Sequence, residues 1–138
     1  MKISARVQNS HNIHHVILRT NDQSHPLTIR PKPTGFGSSA NGGELLFLAL
    51  ATCYCNDIYR EASKRGIMVG HVEVEVEGEF GAEGASAQNV TYRAKVAAKA
   101  PPEVITELMQ FIDRVAEVQN TLRAGTGVTL SQVEAESV

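Results

Sequence analysis

Cys53 and Cys55 are the only two cysteines in this 138-residue chain, and their spacing decides what chemistry they can share. They stand in the run FLALATCYCNDIYREASKRG, followed by Asp57 and Arg60. On a loop, Cys-x-Cys would be half of a metal site. On a helix, successive residues turn by about 100°, so the two side chains point to nearly opposite sides. They cannot bond to each other while that helix stands, and they are poorly placed to hold one metal together. What remains is the chemistry of a single thiol, and a thiol reacts as thiolate. Asp57 lies one turn after Cys53 on the same face, where a carboxylate opposes ionisation of the thiol. Arg60, three residues beyond Asp57, is placed to neutralise that carboxylate. A cation able to activate Cys53 must therefore come from elsewhere in the fold or from a second subunit. The ordinary role of a cysteine on an apolar helix is packing, as a small hydrophobe.

Other groups offer less. His11, His14 and His15 cluster near a turn, but adjacent residues of a strand face opposite sides, so His14 and His15 do not converge. His25 and His71 stand at segment ends. Glu44 fits the first turn of a helix, where the dipole favours an acid. Gly35, Gly37, Gly42 and Gly43 lack the spacing and the lysine of a phosphate-binding loop.

The element that positions the thiols is a helix from Asn41 to Gly66. Asn41 or Ser39 caps its start, and Gly66 after Lys64 and Arg65 closes it. Residues 45–51, LLFLALA, are apolar on every side, which predicts a helix buried all round. The run is too short for a bilayer, which takes about 20 apolar residues. Upstream, residues 2–8 alternate and predict a half-buried strand. Residues 13–20 predict a second strand and residues 27–29 a short third, stopped by Pro31 and Pro33. Residues 31–43 are loop. Downstream, Val72, Val74 and Val76 alternate with Glu73, Glu75 and Glu77. A second strand over residues 90–98 sets Arg93 and Lys95 to face that acidic row in a hairpin. Pro102 opens a second helix that the spacing of Val104, Leu108, Ile112, Val115, Val118 and Leu122 carries to Gly125. Residues 128–134 predict a last strand. The order βββ-α-ββ-α-β groups its strands, which makes the fold α+β with mostly antiparallel pairing in a single domain over residues 1–138.

Composition bounds the function. With 42% hydrophobic residues the chain can build a core, and a net charge of -2 gives no electrostatic case for nucleic acid. The N-terminus has no apolar signal segment, and two closely spaced cysteines are no disulfide framework, so reduced thiols in the cytoplasm are expected. No cofactor, resident metal or membrane partner is expected.

With these residues in view, the sequence resembles the OsmC/Ohr family. The resemblance lies in a Gly- and Ser-rich loop, Asn41-Gly42-Gly43-Glu44-Leu45-Leu46, a small-residue helix carrying Ala51-Thr52-Cys53, then Lys64-Arg65-Gly66-Ile67 and a Val/Glu strand, over essentially the full chain. It implies an intertwined homodimer with sites at the subunit interface, and thiol-dependent reduction of organic hydroperoxides. In that family a peroxidatic cysteine on the first central helix forms a sulfenic acid, and a second cysteine on the second long helix resolves it. An arginine of the N-terminal hairpin and a glutamate before the first helix assist. Carried over, Cys53 takes the peroxidatic position. The resolving position falls on Ala116-Glu117-Val118-Gln119, which has no cysteine. Glu44 lies one residue later than the family glutamate. The hairpin arginine maps near residues 11–14, where there is none; Arg6 and Arg19 lie in the flanking strands. Cys55 is an accessory thiol whose geometry excludes the resolving role within one intact helix.

Two functions follow. One is a peroxidase using Cys53 alone, recycled by an external thiol reductant. The other is a non-peroxidase member of the family that binds a small apolar ligand in a dimer-interface pocket lined by Cys53.

Overall fold

The computed structural model describes residues 1–138 as two compact units, Met1–Leu46 and Phe47–Val138. The fold is α+β, with two antiparallel sheets and three helices.

The first unit is a three-stranded meander of β1 (Ile3–Ser10), β2 (Ile13–Thr20) and β3 (Gln23–Pro26), in that order across the sheet. Ser10 pairs with Ile13 across a two-residue turn in which Asn12 holds φ 58°. Asparagine tolerates this left-handed region better than most residues. Asn21, with φ 51°, makes the next turn equally tight, so pairing resumes at Gln23. That moves the third strand upstream of the expected residues 27–29. Pro26, which has no N–H to donate, ends the ladder there. The strand over residues 2–8 is present and runs on to Ser10, but it is not half-buried. Ile3 is 65% and Val7 59% exposed.

The Asn9 side chain ties the following loop to the hairpin. Its Nδ2 donates to the Gly37 carbonyl at 3.1 Å and its Oδ1 accepts from the Gly37 N–H at 3.0 Å. Helix α1 (Gly42–Lys64) then begins with a reciprocal cap. The Glu44 N–H donates to Asn41 Oδ1 at 2.8 Å, and the Asn41 N–H donates to Glu44 Oε1 at 2.9 Å. Two N–H groups that a helix start leaves without partners are thereby satisfied.

In the second unit, β4 (Val69–Glu79) and β5 (Gln88–Ala98) form a two-stranded antiparallel sheet. Glu73 stands opposite Lys95 and Glu75 opposite Arg93, as the charge rows predict. Val72, Val74, Tyr92, Ala94 and Val96 face the other way and pack against Tyr54, Ile58 and Ala62 of α1 and Leu108 and Ile112 of α2 (Pro102–Val115). Ile58 and Ile112 are wholly buried and mark the centre of this core. Gly78 lets the sheet approach the helix. A Cβ there would stand 2.8 Å from Phe47 Cζ and 3.0 Å from Val90 Cγ2. Gly66 adopts φ 66° and closes α1, as its position after Lys64 and Arg65 predicts.

Three further expectations are corrected. The apolar run of residues 45–51 is not buried all round: Leu50 is 4% exposed but Leu48 is 56% exposed. The second long helix is broken. α2 stops at Val115, Ala116 takes an extended ψ of 111°, and α3 (Glu117–Arg123) follows. Side chains of α3 satisfy the carbonyls freed at this break. Asn120 Nδ2 donates to the Arg114 carbonyl at 3.0 Å and Arg123 to the Asp113 carbonyl at 2.9 Å. The last strand is absent: residues 128–134 pair with nothing, with Val128 98% and Leu130 82% exposed. No helix is long and apolar enough to cross a membrane.

At the end of α1, Glu61 is almost buried and accepts from Lys64 at 2.9 Å, Arg65 at 3.1 Å and Arg60 at 3.2 Å. These partners, Lys64 foremost, hold its carboxyl down from 4.5 to about 2. A carboxyl depressed in the folded state stabilises above its unfolded value, and the gain is lost as pH falls through the folded one. Acid titration followed by circular dichroism is expected to show Glu61→Gln losing the part of the wild-type stability change that falls between pH 4.5 and 2.

Candidate functional site around Cys53

Cys53 lies mid-way along α1 and is half-buried. Asp57, one turn on, brings Oδ2 to 3.9 Å from its Sγ. Glu117, the first residue of α3, brings Oε2 to the same distance from the opposite side of the core sequence. The break at Ala116 makes this possible. A helix continued through residue 116 would not restart at Glu117, and the new start turns its first residues toward α1. Gln119, almost fully buried, fixes the approach by donating from Nε2 to the Leu50 carbonyl at 3.0 Å.

The electrostatics follow from this geometry. Burial pushes the Cys53 thiol above its ordinary value, and the Asp57 and Glu117 carboxylates push in the same direction. The backbone N–H groups of Val118 and Glu117 oppose the shift without reversing it. Asp57 is itself raised, first by burial, although Arg60 at 2.8 Å draws it down. Arg60 thus neutralises Asp57, as the spacing along α1 suggests, and its guanidinium is spent on Asp57 and Glu61. Burial foremost, joined by the two carboxylates, therefore disfavours the thiolate form of Cys53.

One sulfur and two carboxylates, with ligand atoms all within 4.8 Å of one another, are also a possible cation-binding set. The donors are mixed soft and hard, and Arg60 already supplies positive charge to Asp57. The arrangement is better matched to sharing a proton than to holding a divalent ion.

The other sequence candidates lie apart. Cys55 is free and has no acidic partner of this kind. Glu44 is used in the reciprocal cap at the start of α1. His14 accepts from the Asn9 amide at 3.0 Å, and His11 packs edge-on against Phe36 at 5.3 Å. The histidines do not assemble a metal site. Arg19 is engaged locally, donating to the Asn21 carbonyl at 2.9 Å. The residue that sequence reasoning missed is Glu117. Its segment had been singled out as the place of a resolving thiol, and the fold does bring that segment to Cys53; what it delivers is a carboxylate. The signal was present in position and absent in residue type.

A family model described as OsmC-like protein matches residues 35–131. Among solved structures, an OsmC-like protein from Mycoplasma pneumoniae is 18% identical, with 87% of each chain covered and a TM-score of 0.58. An OsmC-like protein of unknown function from Vibrio cholerae is 14% identical, with 88% of this chain and 93% of that one covered and a TM-score of 0.60. An OsmC-like hydroperoxide resistance protein from a Jannaschia species is 13% identical, with 99% and 94% covered and a TM-score of 0.54. No curated protein matches.

Proposed function

The chain belongs to the OsmC-like protein family, and from that membership we propose that it is a homodimeric thiol-dependent peroxidase in which Cys53 reduces an organic hydroperoxide and an external thiol restores it. Family membership and a structural neighbour described as a hydroperoxide resistance protein favour the substrate class. The observation that carries the reading is a half-buried thiol mid-way along α1, at the position the resemblance gives to the peroxidatic cysteine. Asp57 and Glu117, which reach it from separate elements, are placed to take up its proton.

The reaction balances as follows. Sulfur attacks the distal oxygen of the hydroperoxide, the O–O bond breaks, and an S–O bond forms. The thiol proton passes to a neighbouring carboxylate, and the leaving alkoxide takes up a proton to depart as the alcohol. Cys53 is left as sulfenic acid. One external thiol condenses with it, releasing water and forming a mixed disulfide. A second external thiol displaces Cys53 and carries away the disulfide. No second cysteine of the chain takes part, in keeping with the absence of one in residues 116–119.

A homodimer is proposed from the family resemblance and from exposed apolar side chains: Ile3 and Val7, on one face of the first sheet, are both more than half exposed in one copy.

One observation favours a second reading. Burial and two carboxylates hold Cys53 protonated, which suits a thiol that lines a pocket for a small apolar ligand and does no redox chemistry. Mass spectrometry of the reduced protein, after brief exposure to near-stoichiometric organic hydroperoxide with a sulfenic-acid trap present, separates the two. The peroxidase reading expects trapping at Cys53 that disappears in Cys53→Ser and persists in Cys55→Ser. Both thiols left intact at alkaline pH, where the thiolate is abundant, would end the peroxidase reading and leave the ligand-binding one.

A further inference from the structure

Gln119 carries a polar atom that the fold leaves unanswered. The residue is 3% exposed, and its Nε2 donates to the Leu50 carbonyl at 3.0 Å. That carbonyl fixes the amide's orientation, since the reverse one would set two oxygens against each other. Oε1 is the other arm of the amide, and it is buried with no donor from any group of the chain. A buried acceptor without a donor costs free energy, and native folds keep few of them.

Its place beside Cys53 gives this atom a role. Leu50 and Cys53 are i and i+3 on α1, neighbours on one face of the helix. The backbone N–H groups of Glu117 and Val118, the two residues before Gln119, reach the Cys53 sulfur. Gln119 thus leaves α3 next to that sulfur and is anchored one turn ahead of it. The reduced thiol makes no use of Oε1; its Sγ lies 3.9 Å from Asp57 Oδ2 and from Glu117 Oε2. The oxidised thiol differs. Sulfur attack on the distal oxygen of a hydroperoxide leaves the hydrogen on that oxygen, so Cys53 gains an O–H donor that reaches beyond the sulfur. Asp57 is already held by Arg60 at 2.8 Å and Glu117 is exposed, whereas Oε1 is buried and unmatched. A new hydrogen bond gains most where the acceptor has already lost its solvent.

We propose that Gln119 Oε1 accepts the O–H of the Cys53 sulfenic acid and so holds the oxidised thiol neutral until an external thiol reaches it. The gain is protection from a second oxidation. The sulfenate anion is the form that attacks another hydroperoxide. Its sulfur takes the distal oxygen, the O–O bond breaks, the alkoxide leaves and takes up a proton, and Cys53 becomes sulfinic acid, which thiols do not restore. A hydrogen held between the sulfenic oxygen and Oε1 disfavours that anion. The productive step stays open: the external thiol's sulfur bonds to the Cys53 sulfur, and the sulfenic O–H departs with the thiol's proton as water. Such a group matters in a chain whose residues 116–119 offer no cysteine to trap the sulfenic acid. The inference rests on the peroxidase reading and adds to it the group that keeps the intermediate usable.

The test uses the full chain and tert-butyl hydroperoxide. Gln119→Met keeps the length of the side chain and removes the amide. With excess peroxide, peptide mass spectrometry is expected to show sulfinic acid at Cys53 forming about tenfold faster in the variant, while alkylation of reduced Cys53 by iodoacetamide stays within about twofold of wild type. Alkylation that accelerates as much as the second oxidation would mean looser packing of α3 and would overturn the assignment. Equal sulfinic acid formation in variant and wild type would overturn it too. An increase in Glu117→Gln with none in Gln119→Met would hand the hydrogen to the carboxylate instead. A measurement on the wild type keeps the test independent of how the variant folds. In isotope-labelled protein, the carbon resonance of the Gln119 side-chain carbonyl is expected to move downfield when Cys53 is oxidised to sulfenic acid. No shift while the sulfenic acid is present would overturn the hydrogen bond and leave the peroxidase reading standing. No sulfenic acid at Cys53 would overturn both.

Discussion

Ile58→Ala lowers the free energy of unfolding by about 2–5 kcal/mol, the largest stability effect expected of any single truncation in the chain. Ile58 is 0% exposed, at the point where α1 meets α2 and the inner face of β4 and β5. Removing its branched side chain forfeits the transfer free energy of the lost carbons and leaves a cavity that three elements cannot all close at once. Met68→Ala is the informative comparison. Met68 is 63% exposed, so its truncation is expected to change stability by no more than about 0.5 kcal/mol. Urea unfolding of wild type and both variants at one fixed protein concentration measures the difference, which also holds any association constant across the set. Equal effects for Ile58 and Met68 would mean that the core is not centred where α1 crosses the β4–β5 sheet.

Replacing both carboxylates beside Cys53, Asp57→Asn with Glu117→Gln, makes the thiol more reactive toward iodoacetamide at pH 7. The sign follows from the causes. Burial raises the thiol's pKa first, and the negative charges of Asp57 and Glu117 raise it further, so removing those charges lowers it. A lower pKa places more thiolate at pH 7. The pH profile of alkylation is expected to shift to the acid side in the double variant, while its alkaline plateau stays where it is. Cys55 provides the internal reference, because the substitutions do not touch it. Turnover with hydroperoxide is expected to move differently. If the carboxylates pass the thiol proton to the leaving alkoxide, the double variant alkylates faster at neutral pH yet reduces peroxide more slowly per thiolate. A variant that gains in both would show that the carboxylates only suppress the thiol and take no part in proton transfer.

The two predictions draw on parts of the molecule that were unequally legible in the amino-acid sequence. Local signals read well. The strand of β2, the helix from the Asn41 cap to Gly66 and the hairpin with Glu73 and Glu75 facing Lys95 and Arg93 each follow from periodicity, capping and turn chemistry within a short window. The placement of Asp57 on the same face as Cys53, and of Arg60 on Asp57, follows from helical spacing alone. The resemblance to the OsmC/Ohr family rests on the same kind of local pattern, and the family match over residues 35–131 bears it out.

What the sequence could not determine depends on contacts between distant segments. The apolar spacing of Ile112, Val115, Val118 and Leu122 runs through residue 116 without a glycine or proline, so nothing local marks the break. Arg123 and Asn120, which satisfy the carbonyls of Asp113 and Arg114, act from the far side of it. That break brings Glu117 to Cys53 across 64 positions of sequence and adds a second carboxylate to those that disfavour the thiolate. The same holds for residues 128–134, whose alternation predicts a strand that the fold does not form. The sequence by itself determined the second strand, the span of α1 with its thiol and the β4–β5 hairpin with its charged face, because those are set by interactions within a few residues. The tertiary structure alone decided that Glu117 joins Asp57 beside that thiol, because contacts across 64 positions act through space and take no account of distance along the chain.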